Sequence, residues 1–506
     1  MSQLRKLAGE TVWYGLSSIV GRVISYILTP IYTSVFLPGE YGVVTELYAY
    51  AAFFNVVYMY GMETAYFRFA TKDKEKSNDY FNLCVSSIIT TSFIISGLLV
   101  FNAESIMTML GYEGKEVIIY WLATVLAIDS IYALPFAKLR LNGQAKRFAF
   151  VRLGNVLVAV LLNLFFLVFC DAVDSGGLFP GLKPFIGSFY TADFKVRYVF
   201  LSNLLANSLF IIFLSDQFRG FKFRINFSQF RPLLVYGWPI MLMGVAGTTN
   251  EMLSRAMLKY VLPEGFYPHQ SNLDALGVFG ACYKLSVFMM LGTQAFRYAA
   301  EPFFFSKASQ KDSPELFSQV MKGFIIFNCL VFLGVTVNLE ALGIIFLRNP
   351  AYREGLFIVP FLLGGYLLLG IYYNLSVWFK VTDKTKYGAL MTSVGALVTI
   401  VANLLLIPLL GYFGCALATL ATYVVMTSMS YFLGQKHYPV PYKLKEAFGY
   451  MAMAGALSYL FYHLDLGGVV MNSLVRNIAV AAFILATYLF ERNNLKGREI
   501  FGFKLP

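Results

Sequence analysis

The sequence predicts an all-α integral membrane protein with fourteen transmembrane helices, built as two parallel-repeat six-helix lobes plus two C-terminal helices. Three observations predict it: a series of long apolar stretches, a charge difference between alternate gaps, and a faint internal repeat. The stretches run roughly 11–36, 42–67, 81–101, 117–137, 153–170, 198–214 and 233–258. They continue at 275–303, 323–346, 356–379, 387–410, 412–433, 447–463 and 470–490. Most are about 18 residues or longer, enough for a helix to cross a ~30 Å hydrocarbon core. A β-barrel is excluded, because its strands would show as segments of alternating polarity about 10 residues long.

Charge sets the orientation. Of the 40 Lys and Arg residues, 28 fall in every second gap or at the ends, in clusters such as Lys72, Lys74 and Lys76, or Lys138, Arg140, Lys146, Arg147 and Arg152. Only eight lie in the opposite gaps: Lys115, Lys183, Lys195, Arg197, Lys259, Arg348, Arg353 and Arg476. Cytoplasmic loops carry the Lys/Arg excess, so both termini are expected in the cytoplasm of a multi-pass protein of the bacterial inner (plasma) membrane. The first apolar run is too long for a cleavable signal and reads as a retained helix.

The net charge of +12 is spread over these gaps, so topology accounts for it and nucleic acid is not an expected partner. Cys84, Cys170, Cys282, Cys329 and Cys415 stand singly in apolar spans, which supports neither a disulfide framework nor a zinc site. No Walker, GxSxG or HExxH motif occurs. No enzyme activity, cofactor or metal is expected. The longest external gap, about Asp171 to Arg197, is too short for a folded domain.

Compared with itself at an offset near 230–240, the chain repeats weakly. Tyr14-Gly15 matches Tyr236-Gly237, Tyr41-Gly42-Val43 matches Leu276-Gly277-Val278, and Phe67-Arg68-Phe69-Ala70 matches Phe296-Arg297-Tyr298-Ala299. Six spans separate the halves, so they run parallel about an axis along the membrane normal. The expected divisions are an N-terminal six-helix lobe over 1–231, a second lobe over 232–435, and a C-terminal helix pair (spans 13 and 14) with a cytoplasmic tail over 436–506. Two such bundles facing one cleft suit alternating access.

Function is sought in the charges that topology does not explain. Arg22, Arg255, Lys284 and Arg297 lie inside spans. A basic residue near the bilayer centre costs at least ~2.5–3.5 kcal/mol and faces a cavity or a partner. Arg68 and Arg297 occupy matching repeat positions at the cytoplasmic ends of their spans. They are either snorkelling anchors or guanidiniums at the cleft mouth, where a planar fork would grip a diphosphate. Glu251 and Arg255, like Arg297 and Glu301, have the i, i+4 spacing of an ion pair. Glu63, Asp129, Glu251 and Glu301 are the candidate H⁺ or Na⁺ sites. Glu46 is expected to be shallow and interfacial. Gly277, Gly280 and Ala281 give span 8 a small face, suited to tight packing or a cavity wall. Pro30, Pro239, Gly244, Gly247 and Gly364-Gly365 are candidate bends.

The opening, Trp13-Tyr14-Gly15 through Arg22 to Leu28-Thr29-Pro30-Ile31-Tyr32-Thr33 and Leu37-Pro38-Gly39-Glu40-Tyr41-Gly42, resembles the start of Wzx-type polysaccharide flippases. Lys138-Leu139-Arg140, Asn142-Gly143 and Lys146-Arg147-Phe148 share the resemblance. These proteins belong to the multidrug/oligosaccharidyl-lipid/polysaccharide exporter superfamily. The resemblance implies two six-helix lobes in a V with two further helices. It also implies a cargo: an undecaprenyl-diphosphate-linked oligosaccharide moved to the periplasmic leaflet for O-antigen, capsule, exopolysaccharide or lipopolysaccharide biosynthesis. The implied partners are that lipid-linked oligosaccharide and membrane lipid, with a polysaccharide polymerase and chain-length machinery as further candidates. In relatives that flip the peptidoglycan precursor, cleft arginines on spans 1, 2 and 8 matter, and Arg22, Arg68 and Arg297 stand on those spans here. Spans 13 and 14 would offer a groove for the lipid tail. The competing readings are a cation-coupled multidrug exporter of the same superfamily and a membrane glycosyltransferase or polymerase.

Overall fold

The computed structural model describes residues 13, 15, 17–307, 312–495, 499–500 and 503–504, with the side chains of a few of these, Glu301 among them, outside the description. It is helical nearly throughout. The chain divides into two compact units, Met1–Gly280 and Ala281–Pro506. The boundary falls inside one long helix, Asn272–Lys307.

Ten helices among the described residues are long and apolar enough to cross a membrane, which makes the protein a multi-pass membrane protein. They fall on the third, fourth, fifth, seventh to twelfth and fourteenth stretches read from the sequence. The other four stretches are met differently. Span 1 is partly outside the described residues and ends as Leu28–Val35. Span 6 is the 17-residue helix Arg197–Phe213, and span 13 is Leu444–Tyr462. Span 2 is broken in two.

That break separates Pro38–Met59 from Met62–Lys72. Tyr60 and Gly61 both take positive φ, at 29° and 79°. Little hydrogen bonding is lost, because the Tyr60 N–H still reaches the Val56 carbonyl and the Ala65 N–H picks up that of Gly61. Burying free carbonyls in lipid would be far costlier than this local kink. A side chain on Gly61 would strike the backbone of Gly237, and one on Gly237 would lie 2.9 Å from the Tyr60 carbonyl oxygen. The kink therefore nests against the helix Phe227–Val261, which runs unbroken through Pro232 and Pro239.

A second close approach lies at the start of span 2. A Cβ on Gly42 would strike the Leu273 carbonyl, one on Gly277 the Pro38 carbonyl, and one on Gly280 the Thr45 side chain. The small face of span 8 is thus used for tight packing. Gly42 and Gly277, matched in the sequence repeat, meet each other here: a Cβ on Gly277 would come 3.1 Å from the Gly42 nitrogen.

In the first unit, the core around the broken helix gathers Tyr60, Met62, Tyr66, Phe81, Ile88, Leu134 and Leu233. In the second unit, Tyr372, Trp378, Phe379, Met391, Tyr423 and Met426 form one core, and Ala300, Phe304, Phe317 and Val377 another. All five cysteines are buried, and none is in a disulfide. Large apolar side chains such as Phe93, Phe101, Leu409 and Phe490 remain exposed, as a lipid-facing surface requires.

Gly61→Ala should destabilise the protein more than Gly111→Ala. Both residues sit at positive φ, where a Cβ alone costs roughly 1–2 kcal/mol. Gly111 faces open space, whereas Gly61 faces the Gly237 backbone. Thermal unfolding of the detergent-solubilised variants checks the order, and equal losses would remove the role given to this contact.

Candidate functional site

Glu46, expected to be shallow, is fully buried within the protein. Its Oε2 accepts from Lys259 Nζ at 3.0 Å and from the Tyr112 hydroxyl. Its Oε1 accepts from the Tyr260 hydroxyl at 2.7 Å and the Tyr50 hydroxyl at 3.3 Å. Lys259 Nζ also donates to the Leu110 carbonyl at 2.6 Å and lies 4.4 Å from the centre of the Tyr112 ring. Both charges are saturated with hydrogen bonds, the condition under which a buried pair is tolerated. The knot ties Pro38–Met59 and the 110–112 turn to the end of Phe227–Val261.

Asp129 is held differently. Its Oδ1 accepts from Asn207 Nδ2 at 2.7 Å, and Asn207 Oδ1 accepts from Asn155 Nδ2 at 2.9 Å. Three helices, Val117–Leu141, Ala145–Leu164 and Arg197–Phe213, each supply one member. The carboxylate is half-buried, and its hydrogen bond comes from a neutral amide, with the Arg152 charge near enough to act on it. Glu63, by contrast, is ion-paired with Arg140. Glu251 is half-buried one turn before Arg255. The side chain of Glu301 lies outside the described residues.

The candidate cations fall in both units. Arg22, Arg68, Lys284 and Arg297 are exposed, and Arg255 is half-buried with Nη1 2.8 Å from the Met252 sulfur. The Arg68 guanidinium lies 4.3 Å from the centre of the Tyr236 ring, and that of Arg297 lies 5.0 Å from the centre of Tyr373. The repeat-matched arginines thus share an aromatic support for the guanidinium.

Three cations assigned to loops by the charge pattern prove to lie within helices, Arg476 buried and Lys259 and Lys322 half-buried. Lys259 is one. Lys322, inside Ser313–Val337, binds Glu491 at 2.7 Å and Glu446 at 3.2 Å, and Tyr450 donates to Glu491 at 2.7 Å. Arg476 pairs with Glu340 at 3.1 Å. An acid and a base at similar expected depth in different spans was the available signal, as Glu46 and Lys259 illustrate. Other basic residues tie loops together: Arg147 donates to Asp216 at 2.7 Å, and Arg224 to Asp79 at 2.8 Å. Hydrogen bonds from Arg147 hold the Asp216 carboxyl below its ordinary pKa.

In the second unit, a cavity of about 700 Å³ is lined by Glu315, Lys322, Lys443, Tyr488 and Glu491. An apolar one of about 340 Å³, lined by Met321, Ile325, Val424, Phe432 and Phe448, shares Lys322 and Lys443 with it.

Residues 19–176 match the model of a family described as "Polysaccharide biosynthesis protein". No curated protein sequence matches the chain. A structure titled lipid II flippase MurJ, in an inward closed conformation, is similar with a TM-score of 0.72 at 12% identity, covering 96% of this chain and 100% of that one. An inward-facing multidrug resistance MATE family transporter gives 0.61 at 11% identity over 84% and 94%. A MATE transporter from Vibrio cholerae gives 0.57 at 11% identity over 86% and 96%. The fold is that of these transporters.

Glu46→Ala should cost about 3–5 kcal/mol of stability, because it strands a buried ammonium. Asp129→Asn should cost much less, since its partners are amides. Unfolding of the purified variants checks both, and similar losses would contradict the contrast. The Arg147–Asp216 pair should be fully stabilising above the ordinary carboxylate pKa of ~3.9 and fail as pH falls through the depressed folded value. Melting curves of the wild type and Asp216→Asn should therefore converge on acidification.

Proposed function

We propose that the protein is a flippase carrying an undecaprenyl-diphosphate-linked oligosaccharide from the cytoplasmic to the periplasmic leaflet by alternating access, for surface polysaccharide biosynthesis. The observation that carries the reading is the set of basic side chains within the helices. Arg22, Arg68, Lys284 and Arg297 are exposed, and Arg255 is half-buried. A sugar diphosphate cannot cross hydrocarbon without counter-charge, and guanidinium forks match phosphate oxygens bidentately. The polysaccharide family match and the flippase and exporter neighbours support the same reading.

The proposed topology has fourteen crossings with both termini cytoplasmic, lobes over 1–231 and 232–435, and the helix pair of 436–506 as an appendix. The apolar cavity beside Leu444–Tyr462 supports a seat for part of the polyprenyl tail near that pair. Among the coupling candidates Glu63, Asp129, Glu251 and Glu301, Asp129 is the strongest. Its amide partners would serve a proton or a monovalent cation equally well, whereas Glu63 already has Arg140.

Deletion of the gene should cause lipid-linked oligosaccharide to accumulate, identified by mass spectrometry. Arg22→Ala should abolish surface glycan while the protein stays in the membrane. Arg22→Lys should rescue poorly if bidentate phosphate binding is needed, and partly if charge suffices. Normal glycan in Arg22→Ala cells would remove that residue's role. Incorporation of labelled sugar by the purified protein would favour a glycosyltransferase, and cation-driven drug efflux without a glycan defect would favour an exporter.

A further inference from the structure

The loop between the fifth and sixth spans, residues 175–196, is firmly folded yet turns its apolar side chains outward. Its inner face is fixed. Ile186, Tyr190 and Val196 are buried, and the Tyr190 and Tyr198 rings stack at 4.7 Å. Tyr198 stacks on Phe166 at 5.2 Å, and Lys195 pairs with Asp171 at 2.7 Å. The Thr191 N–H donates to the Tyr198 hydroxyl at 2.7 Å. Its outer face presents Leu178, Phe179, Leu182, Phe185 and Phe189, with Phe179 62% and Phe185 67% exposed. Phe179 holds φ at +44°, a left-handed conformation that a bulky residue rarely adopts.

A rigid loop in water has no reason to expose five large apolar residues within a dozen positions. Span length supplies the reason. The helical run Ala145–Asp174 has 30 residues, about 45 Å at ~1.5 Å per residue, which exceeds a ~30 Å hydrocarbon core. Its far end, and the loop beyond it, therefore stand at the headgroup level. The apolar surface is also continuous with the lipid-facing side of that helix. Phe165 and Val168 are exposed there, Phe165 stacks on Phe169 at 5.6 Å, and Phe169 meets Phe179 at 6.4 Å. Lys183, exposed among the apolar residues, sits where a headgroup phosphate would be.

We infer that this loop is an interfacial anchor: the face built on Phe179, Leu182, Phe185 and Phe189 lies in the leaflet on its own side of the membrane, with Lys183 at the phosphates. Under the proposed topology that leaflet is the periplasmic one, but the loop's depth is independent of the cargo and of the orientation. The anchor pins the outer ends of the fifth and sixth spans at a constant height.

Depth can be read directly. The native cysteines are buried, so Phe179→Cys, Phe185→Cys, Asp193→Cys and Val168→Cys give single sites for a nitroxide label, with the unsubstituted protein as the blank. The full chain is reconstituted in vesicles of phosphatidylethanolamine and phosphatidylglycerol. Collisions with oxygen, which partitions into lipid, and with a water-soluble nickel chelate are measured at each site. Labels at 179 and 185 should lose nickel access and keep oxygen access, as at the lipid-facing Val168 site, while Asp193 stays open to nickel. Nickel access at 179 and 185 equal to that at 193 would overturn the anchor. Exclusion of both relaxers would also overturn it, because the face would then be covered by protein, such as a second copy. Phe185→Trp provides a second readout that keeps an aromatic ring: the fluorescence it adds to that of the four native tryptophans should be quenched by brominated lipid, and no quenching of that added signal would count against the proposal.

Discussion

The first unit depends on how closely the backbone of span 2 approaches its neighbours. Lipid removes the hydrophobic drive that joins helices in water, so association rests on van der Waals packing and on small residues that admit it. Gly42 meets Gly277 at one end of the broken helix, and Gly61 meets Gly237 at the kink. Between them, Gly244 lies against Val56 and Gly280 against Thr45. The Glu46 knot presupposes this approach. A carboxylate can be buried with four donors only if the helix carrying Lys259 and Tyr260 comes within side-chain reach. Packing brings the charges together, and the charges then fix register, since a slip of one turn would strand both.

Much of the helical framework was legible because hydrocarbon imposes a length and a polarity on each segment. Two glycines of the expected repeat have a physical reason: a Cβ on Gly42 would strike the Leu273 carbonyl, and one on Gly277 the Pro38 carbonyl. One break was not singled out: Phe227–Val261 stays helical through Pro239, a candidate bend, while Tyr60-Gly61 interrupts the helix next to it. A proline in a membrane helix needs only its freed carbonyl satisfied, whereas positive φ at two successive residues redirects the chain.

The candidate site was legible only in part, because position along a helix gives depth but not direction. Glu46 is about two turns from the start of its helix, and nothing in its spacing says that it faces Lys259. Lys259, Lys322 and Arg476 looked like loop charges because each lies near the end of an apolar stretch. Their partners Glu46, Glu491 and Glu340 come from distant parts of the chain. A distribution of cations between loops separates topology from function only after such pairs have been removed.

The proposed anionic cargo calls for basic residues within the helices, and a cationic cargo for acids left over there. Glu46, Glu63 and Glu491 are each matched by a Lys or Arg. Among the described acids, Asp129 and Glu251 answer best to the second need, and Asp129 already accepts from an amide. The helices also carry Arg22, Arg68, Arg255, Lys284 and Arg297, and Arg68 and Arg297 each lie beside a tyrosine ring. The proposed coupling role of Asp129 rests on that neutral donor, because a carboxylate in a close pair with Lys or Arg gains little from binding a proton.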